Sequence, residues 1–265
     1  MTDPSAPARH RLRFRYAKLG KIRFTSHRDV ARMWERALRR SLLRVAWSEG
    51  FSPRPLLSFG LALPTGCESV AEYVDVTLEG VGSTAPTAPT APTAPTAPGG
   101  AVTTGAGAVA EMAPDLAGRL SALLPDGIDV LAVGLVPPGT GSLQQEVSSC
   151  SWDVEVQGLA AGELATQVER LLGAASVVVR RERKGRPVED DVRAAVLALD
   201  LVTAERLHAE LATRPRGVRP QELLCGLGPE LTLVRACRRH QWIERDGSRY
   251  EPLTESGEMA EACAS

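Results

Sequence analysis

Five tandem Thr-Ala-Pro units, Thr84 to Pro98, run into Gly99-Gly100 and constrain this 265-residue chain more than any other feature. Proline at every third position fixes φ and removes a backbone donor, so neither a helix nor a central strand can pass through. Such a tract favours solvated polyproline II and acts as a semi-stiff spacer. The Gly-rich, apolar stretch up to residue 110 continues it, and 81–110 is expected to be a disordered linker hung on a folded unit.

Before the linker the pattern predicts a strand over 9–17, a turn at Lys18-Leu19-Gly20 and a short strand over 21–25. A helix follows, with Ser26 as N-cap and Asp29 three residues on, as in a capping box. Val30, Met33, Trp34, Ala37 and Leu38 then recur at helical spacing. A short strand around Val45–Trp47, a Gly/Pro-rich loop at 50–55 and strands near 56–62 and 69–79 come next. Beyond the linker, 114–124 reads as a helix and 128–136 as a strand.

That order is β-α-β-β-(linker)-α-β, the split βαβ of a ferredoxin-like sandwich. After the Pro137-Pro138-Gly139 break a similar succession runs from a strand at 149–156 through a helix at 162–172. It continues with strands at 177–181, 192–199 and 206–211, a helix at 219–227 and an extended 231–236. The expected class is α+β: two tandem ferredoxin-like sandwiches, 9–136 and 143–250, with tails at 1–8 and 251–265.

Charge is distributed unevenly. The net charge is −1, yet residues 9–54 hold fourteen basic residues against Asp29, Glu35 and Glu49. Arg11, Arg13 and Arg15 alternate with Leu12, Phe14 and Tyr16, so the three guanidiniums leave one face of a strand. Arg28, Arg32, Arg36 and Arg39 or Arg40 form a ridge at i, i+4 spacing opposite the apolar stripe. Together with Arg54 these are candidates for phosphate contact, because guanidinium pairs bidentately with phosphate and stacks on bases. A solvated basic face and a dock for an acidic protein are the competing readings. Phe51, Phe59 and Trp34 read as core.

His27 falls in the first turn of the predicted helix, just after a strand. A helix N-terminus favours anions and lowers a histidine's affinity for its proton. His27 could therefore touch phosphate or act as general base in metal-independent RNA cleavage; capping or packing is the plainer role.

Five cysteines, Cys67, Cys150, Cys225, Cys237 and Cys263, are scattered without a C-x-x-C pair. They read as small buried hydrophobes, and no metal site, iron–sulfur cluster or other cofactor is expected. No apolar h-region or membrane-length apolar stretch occurs, so a cytoplasmic protein with no membrane association is expected.

Residues 13–76 also carry motifs. They are Phe24-Thr25-Ser26-His27, Glu35-Arg36-Ala37-Leu38-Arg39-Arg40, Ser48-Glu49-Gly50-Phe51-Ser52-Pro53-Arg54-Pro55, Leu57-Ser58-Phe59, and Gly66 through Glu68-Ser69 to Glu72-Tyr73. The block resembles the bacterial radical-SAM-linked protein family, a domain of unknown function. Arg183-Lys184-Gly185 and the Arg219-Pro220 helix start extend the likeness more loosely.

The resemblance implies association with a radical SAM protein, by fusion or neighbouring genes. In relatives of this composition it also implies a neighbouring ribonuclease of the E/G kind. The chain lacks the CxxxCxxC cluster of a radical SAM enzyme, so it reads as a partner of one. The resulting expectation is a non-catalytic RNA-binding accessory module. A ribonuclease using His27 and a protein-binding adaptor without nucleic-acid affinity are the alternatives.

Overall fold

The computed structural model describes residues 9–41, 43–79, 115–160, 162–183 and 185–253. The Thr-Ala-Pro tract, the whole of the expected linker 81–110, the tails at 1–8 and 254–265, and Cys263 lie outside them.

The architecture is mixed α/β, dominated by one large, mostly antiparallel sheet. In the first half, β1 (His10–Lys18) is followed by α1 (His27–Arg40), β2 (Leu57–Phe59) and β3 (Glu68–Leu78). A helix α2, described over 115–121, then leads to β4 (Ile128–Val136). The second half opens with a short α3 (Leu143–Glu146), β5 (Val147–Gln157) and α4 (Glu163–Gly173). There follow β6 (Val178–Arg183), β7 (Arg186–Asp191), β8 (Val196–Thr203), β9 (Arg206–Ala212), α5 (Pro220–Leu227), β10 (Thr232–Arg245) and β11 (Ser248–Tyr250).

The strands run β4-β1-β3-β10-β5-β9-β8, with β2 also on β3 and β11 on β10. Both halves therefore belong to one sheet. Their junction is the edge of β3, which two partners divide between them. Near its carboxyl end β3 pairs antiparallel with β2, Leu57 opposite Val76 and Phe59 opposite Val74. Near its start it pairs in parallel with β10, Glu68 opposite Cys237 and Ser69 opposite Arg238. Between these stretches side chains satisfy the backbone. Arg15 donates to Val70 O at 3.1 Å and Gln241 donates to Ala71 O at 2.6 Å.

Alternation on β1 divides the first half into two faces. Leu12, Phe14 and Tyr16 pack under α1 and α2, where the Trp34 ring lies 5.6 Å from Phe14 and 5.2 Å from Tyr16. In the second half Cys150, Trp152, Val154 and Val156 of β5 pack with Leu164, Val168 and Leu171 of α4 and Leu223, Leu224 and Leu227 of α5.

The structure corrects several expectations. Residues 21–25 are not a strand: Gly20–Phe24 forms a 3-10 helix. Both edges of β1 are already taken, by β3 and β4, so no ladder position beside β1 remains for this segment. The Lys18 ammonium instead donates to Thr25 O at 2.8 Å and Arg23 O at 3.4 Å. The stretch expected at 177–181 does not join the large sheet, because β8 takes the edge beside β9 while β6 pairs with β7. The extended 231–236 lengthens to the 14-residue β10. Glu251, Pro252 and Leu253, expected in a tail, pack against the first half, where the Tyr73 hydroxyl donates to Leu253 O at 3.4 Å.

Candidate functional site

Arg11, Arg13 and Arg15 do leave one face of β1, but that face is covered. Arg13 is buried and grips Asp75 bidentately, Nε to Oδ1 at 2.7 Å and an Nη to Oδ2 at 2.9 Å. Its remaining Nη reaches Pro252 O at 3.3 Å. Arg15 is also buried and pairs with Glu251 at 3.1 Å. Arg11, half-buried, donates to Thr140 O at 2.6 Å. The donors of Arg13 and Arg15 are thus consumed inside the fold, and neither presents a guanidinium to a phosphate in solution.

A second ionic group holds the junction together. The Glu72 carboxylate, buried, receives Arg238 at 3.0 Å, and Arg238 also donates to Leu61 O and Ala62 O at 3.0 and 3.1 Å. Burial pushes the Glu72 carboxyl up, with the Arg238 charge acting against that shift. Burial also lowers Lys18, against the pull of Glu72. Glu68 accepts from the Gly20 N–H at 2.7 Å, from Arg23 at 3.4 Å and from Arg235. Its burial favours the neutral acid, but those donors together hold its carboxyl below the usual range.

The ridge on α1 is different. Ser26 caps the helix by accepting from Asp29 N–H at 3.2 Å, and Val30, Trp34, Ala37 and Leu38 turn inward. Arg28, Arg32, Arg36, Arg39 and Arg40 are all exposed. Arg32 meets Asp29 at 3.4 Å, an exposed i, i+3 pair of small energetic weight. Arg28, Arg36 and Arg40 have no side-chain partner among the described residues.

At the carboxyl end of α1 the ridge meets the loop that carries Phe51 and Arg54. Arg39 lies over the Trp47 ring, 4.8 Å from its centroid, and donates to Pro53 O at 3.3 Å. Arg54 is exposed. Phe51 is fully exposed and not core as its hydrophobicity suggests. Its flanks, Gly50 with φ +118° and Pro53, are the signals that mark a loop tip.

His27 is exposed at the start of α1, its ring edge-on to Phe59 at 5.1 Å. It has no hydrogen-bonded partner among the described residues. Arg28 follows it on α1, whereas Arg54 stands on the hairpin near the helix's other end.

The second half leaves its sheet face open. A cleft of ≈ 260 Å³ there is lined by Asp153, Glu155, Arg206, Arg235, Cys237 and Arg239 among others. Its charges largely answer one another: Arg239 meets Asp153 at 3.4 Å, Arg206 meets Glu155 at 3.8 Å, and Arg235 meets Glu68. Among the described residues no three His, Cys, Asp or Glu side chains converge as a metal site. Cys67, Cys150 and Cys237 are buried, and Cys225 is exposed. No helix among the described residues is long and apolar enough to cross a membrane.

A family model described as "Uncharacterized protein conserved in bacteria (DUF2344)" matches residues 11–100 and 108–220. The match takes in the α1 ridge, the Phe51 loop and the acidic residues of β3, but stops before β10 and its Arg235 and Arg238. No curated protein matches the chain.

Proposed function

The chain belongs to this family of uncharacterized proteins conserved in bacteria, and on that premise we propose that it is a non-catalytic RNA-binding accessory module whose contact surface is α1. The observation that carries the reading is the ridge itself. Arg28, Arg36 and Arg40 stand exposed on one helix face without acidic partners among the described residues. A row of unneutralised guanidiniums releases counterions when it meets a polyphosphate, and that release drives association.

We also read the halves as tandem ferredoxin-like units. The strand orders β4-β1-β3-β2 and β10-β5-β9-β8, with helices following the first and third strand of each set, support this. In open sheets of that kind RNA stacks on the face away from the helices. Here residues 251–253 cover that face in the first half and paired charges occupy it in the second, which favours the helix over the sheet. The sequence resemblance adds a radical SAM or RNA-processing partner, an E/G-type ribonuclease included, to the proposal.

Filter binding of RNA at several salt concentrations tests the reading. Wild-type affinity is expected to fall steeply with salt, and Arg28, Arg32 and Arg36 changed together to Ala should flatten the slope by about one per lost phosphate contact. Salt-independent binding, or a triple variant indistinguishable from wild type, overturns it.

A further inference from the structure

We infer that Phe51 is a base-stacking finger, and that the RNA bound along α1 carries an unpaired nucleotide at the helix's carboxyl end. The inference rests on the α1 reading above and narrows its ligand to single-stranded or looped RNA.

Phe51 is the most exposed large apolar side chain among the described residues, at 110% of its reference area. The segment that carries it is nonetheless built. Ser48 N–H donates to Arg54 O at 2.8 Å, Arg54 N–H returns to the Ser48 hydroxyl at 3.0 Å, and Trp47 bridges Pro55. These contacts close the loop at its base. Arg39 then ties it to α1 through Pro53 O and the Trp47 ring. An apolar ring on a braced hairpin cannot collapse onto the core, so both its faces stay in water.

Position supplies the ligand. α1 spans about 20 Å at 1.5 Å per residue, and its guanidiniums lead to Arg39, which touches the hairpin. A strand whose phosphates follow the ridge arrives at Phe51 with a base to place. Aromatic faces accept any base by stacking, which gives affinity without sequence preference. Phe24, the other exposed phenylalanine, differs: Arg23 already lies over its ring at 4.7 Å.

The test compares a single-stranded RNA oligomer with a duplex of the same sequence at fixed salt. It uses wild type, Phe51→Ala, Phe51→Trp and the Arg28/Arg32/Arg36→Ala triple variant. Phe51→Ala should weaken single-strand binding about 10-fold, leave its salt slope and the duplex affinity unchanged, and be rescued by Phe51→Trp. Wild-type single-strand affinity in Phe51→Ala, or equal loss on both RNAs, overturns the inference. If the triple variant loses affinity while Phe51→Ala does not, stacking alone fails and the ridge stands. If wild type binds neither RNA, both readings fall and the exposed ring belongs to a protein interface.

Discussion

Arginine plays two opposed parts here, and substitution separates them. Arg13 is buried against Asp75, so Arg13→Ala strands a carboxylate in the interior and should cost about 3–5 kcal/mol. Arg36→Ala removes an exposed side chain and should change stability by no more than about 0.5 kcal/mol. Urea denaturation of the two variants checks the contrast. Glu68 adds a pH dependence. Its folded carboxyl lies below the ordinary value of 4.5, so the unfolded chain binds the proton more readily. The stability it contributes is complete above pH 4.5 and is lost as pH falls through the lower folded value. Glu68→Gln should flatten that acid limb in thermal melts, and an unchanged limb would assign it to other carboxylates. Arg13 and Arg28 could not be told apart by pattern, since both sit at regular alternation or helical spacing. What buries Arg13 includes Pro252, 239 residues away in the chain.

At the level of elements, local signals worked where local physics decides. The Ser26 cap, the inward stripe of α1 and strand β4 stand where spacing predicts them. Ser26→Ala should cost about 1 kcal/mol, read as a lower melting temperature. Gly158 turns the chain out of β5 at φ +115°, and a Cβ there would collide with the Glu230 backbone oxygen. Gly158→Ala should therefore cost more than about 1 kcal/mol, and a neutral melt would count against that contact. Elements whose form depends on distant partners depart from the local pattern. The segment after Gly20 has strand-like residues but no free strand beside β1, and it became a 3-10 turn. Phe51 reads as core from its hydrophobicity, yet the Gly/Pro-rich loop that carries it holds the ring at a loop tip in water.

For the whole molecule, the parallel pairing of β3 with β10 and the Arg238–Glu72 ion pair make two sequence-distant halves share one sheet. The halves should unfold in a single transition. Fluorescence of variants retaining only Trp34 or only Trp152 reports the first and second core separately, and non-coincident curves would refute the coupling. The capped, inward-striped α1, strand β4, the basic block and the helical ridge were determined by the sequence alone, because periodicity and capping act over a few residues. Which arginines face water, which face of the sheet is open and how the halves join were decided only by tertiary structure. Those outcomes depend on what covers a surface, and the covering residues come from the far end of the chain.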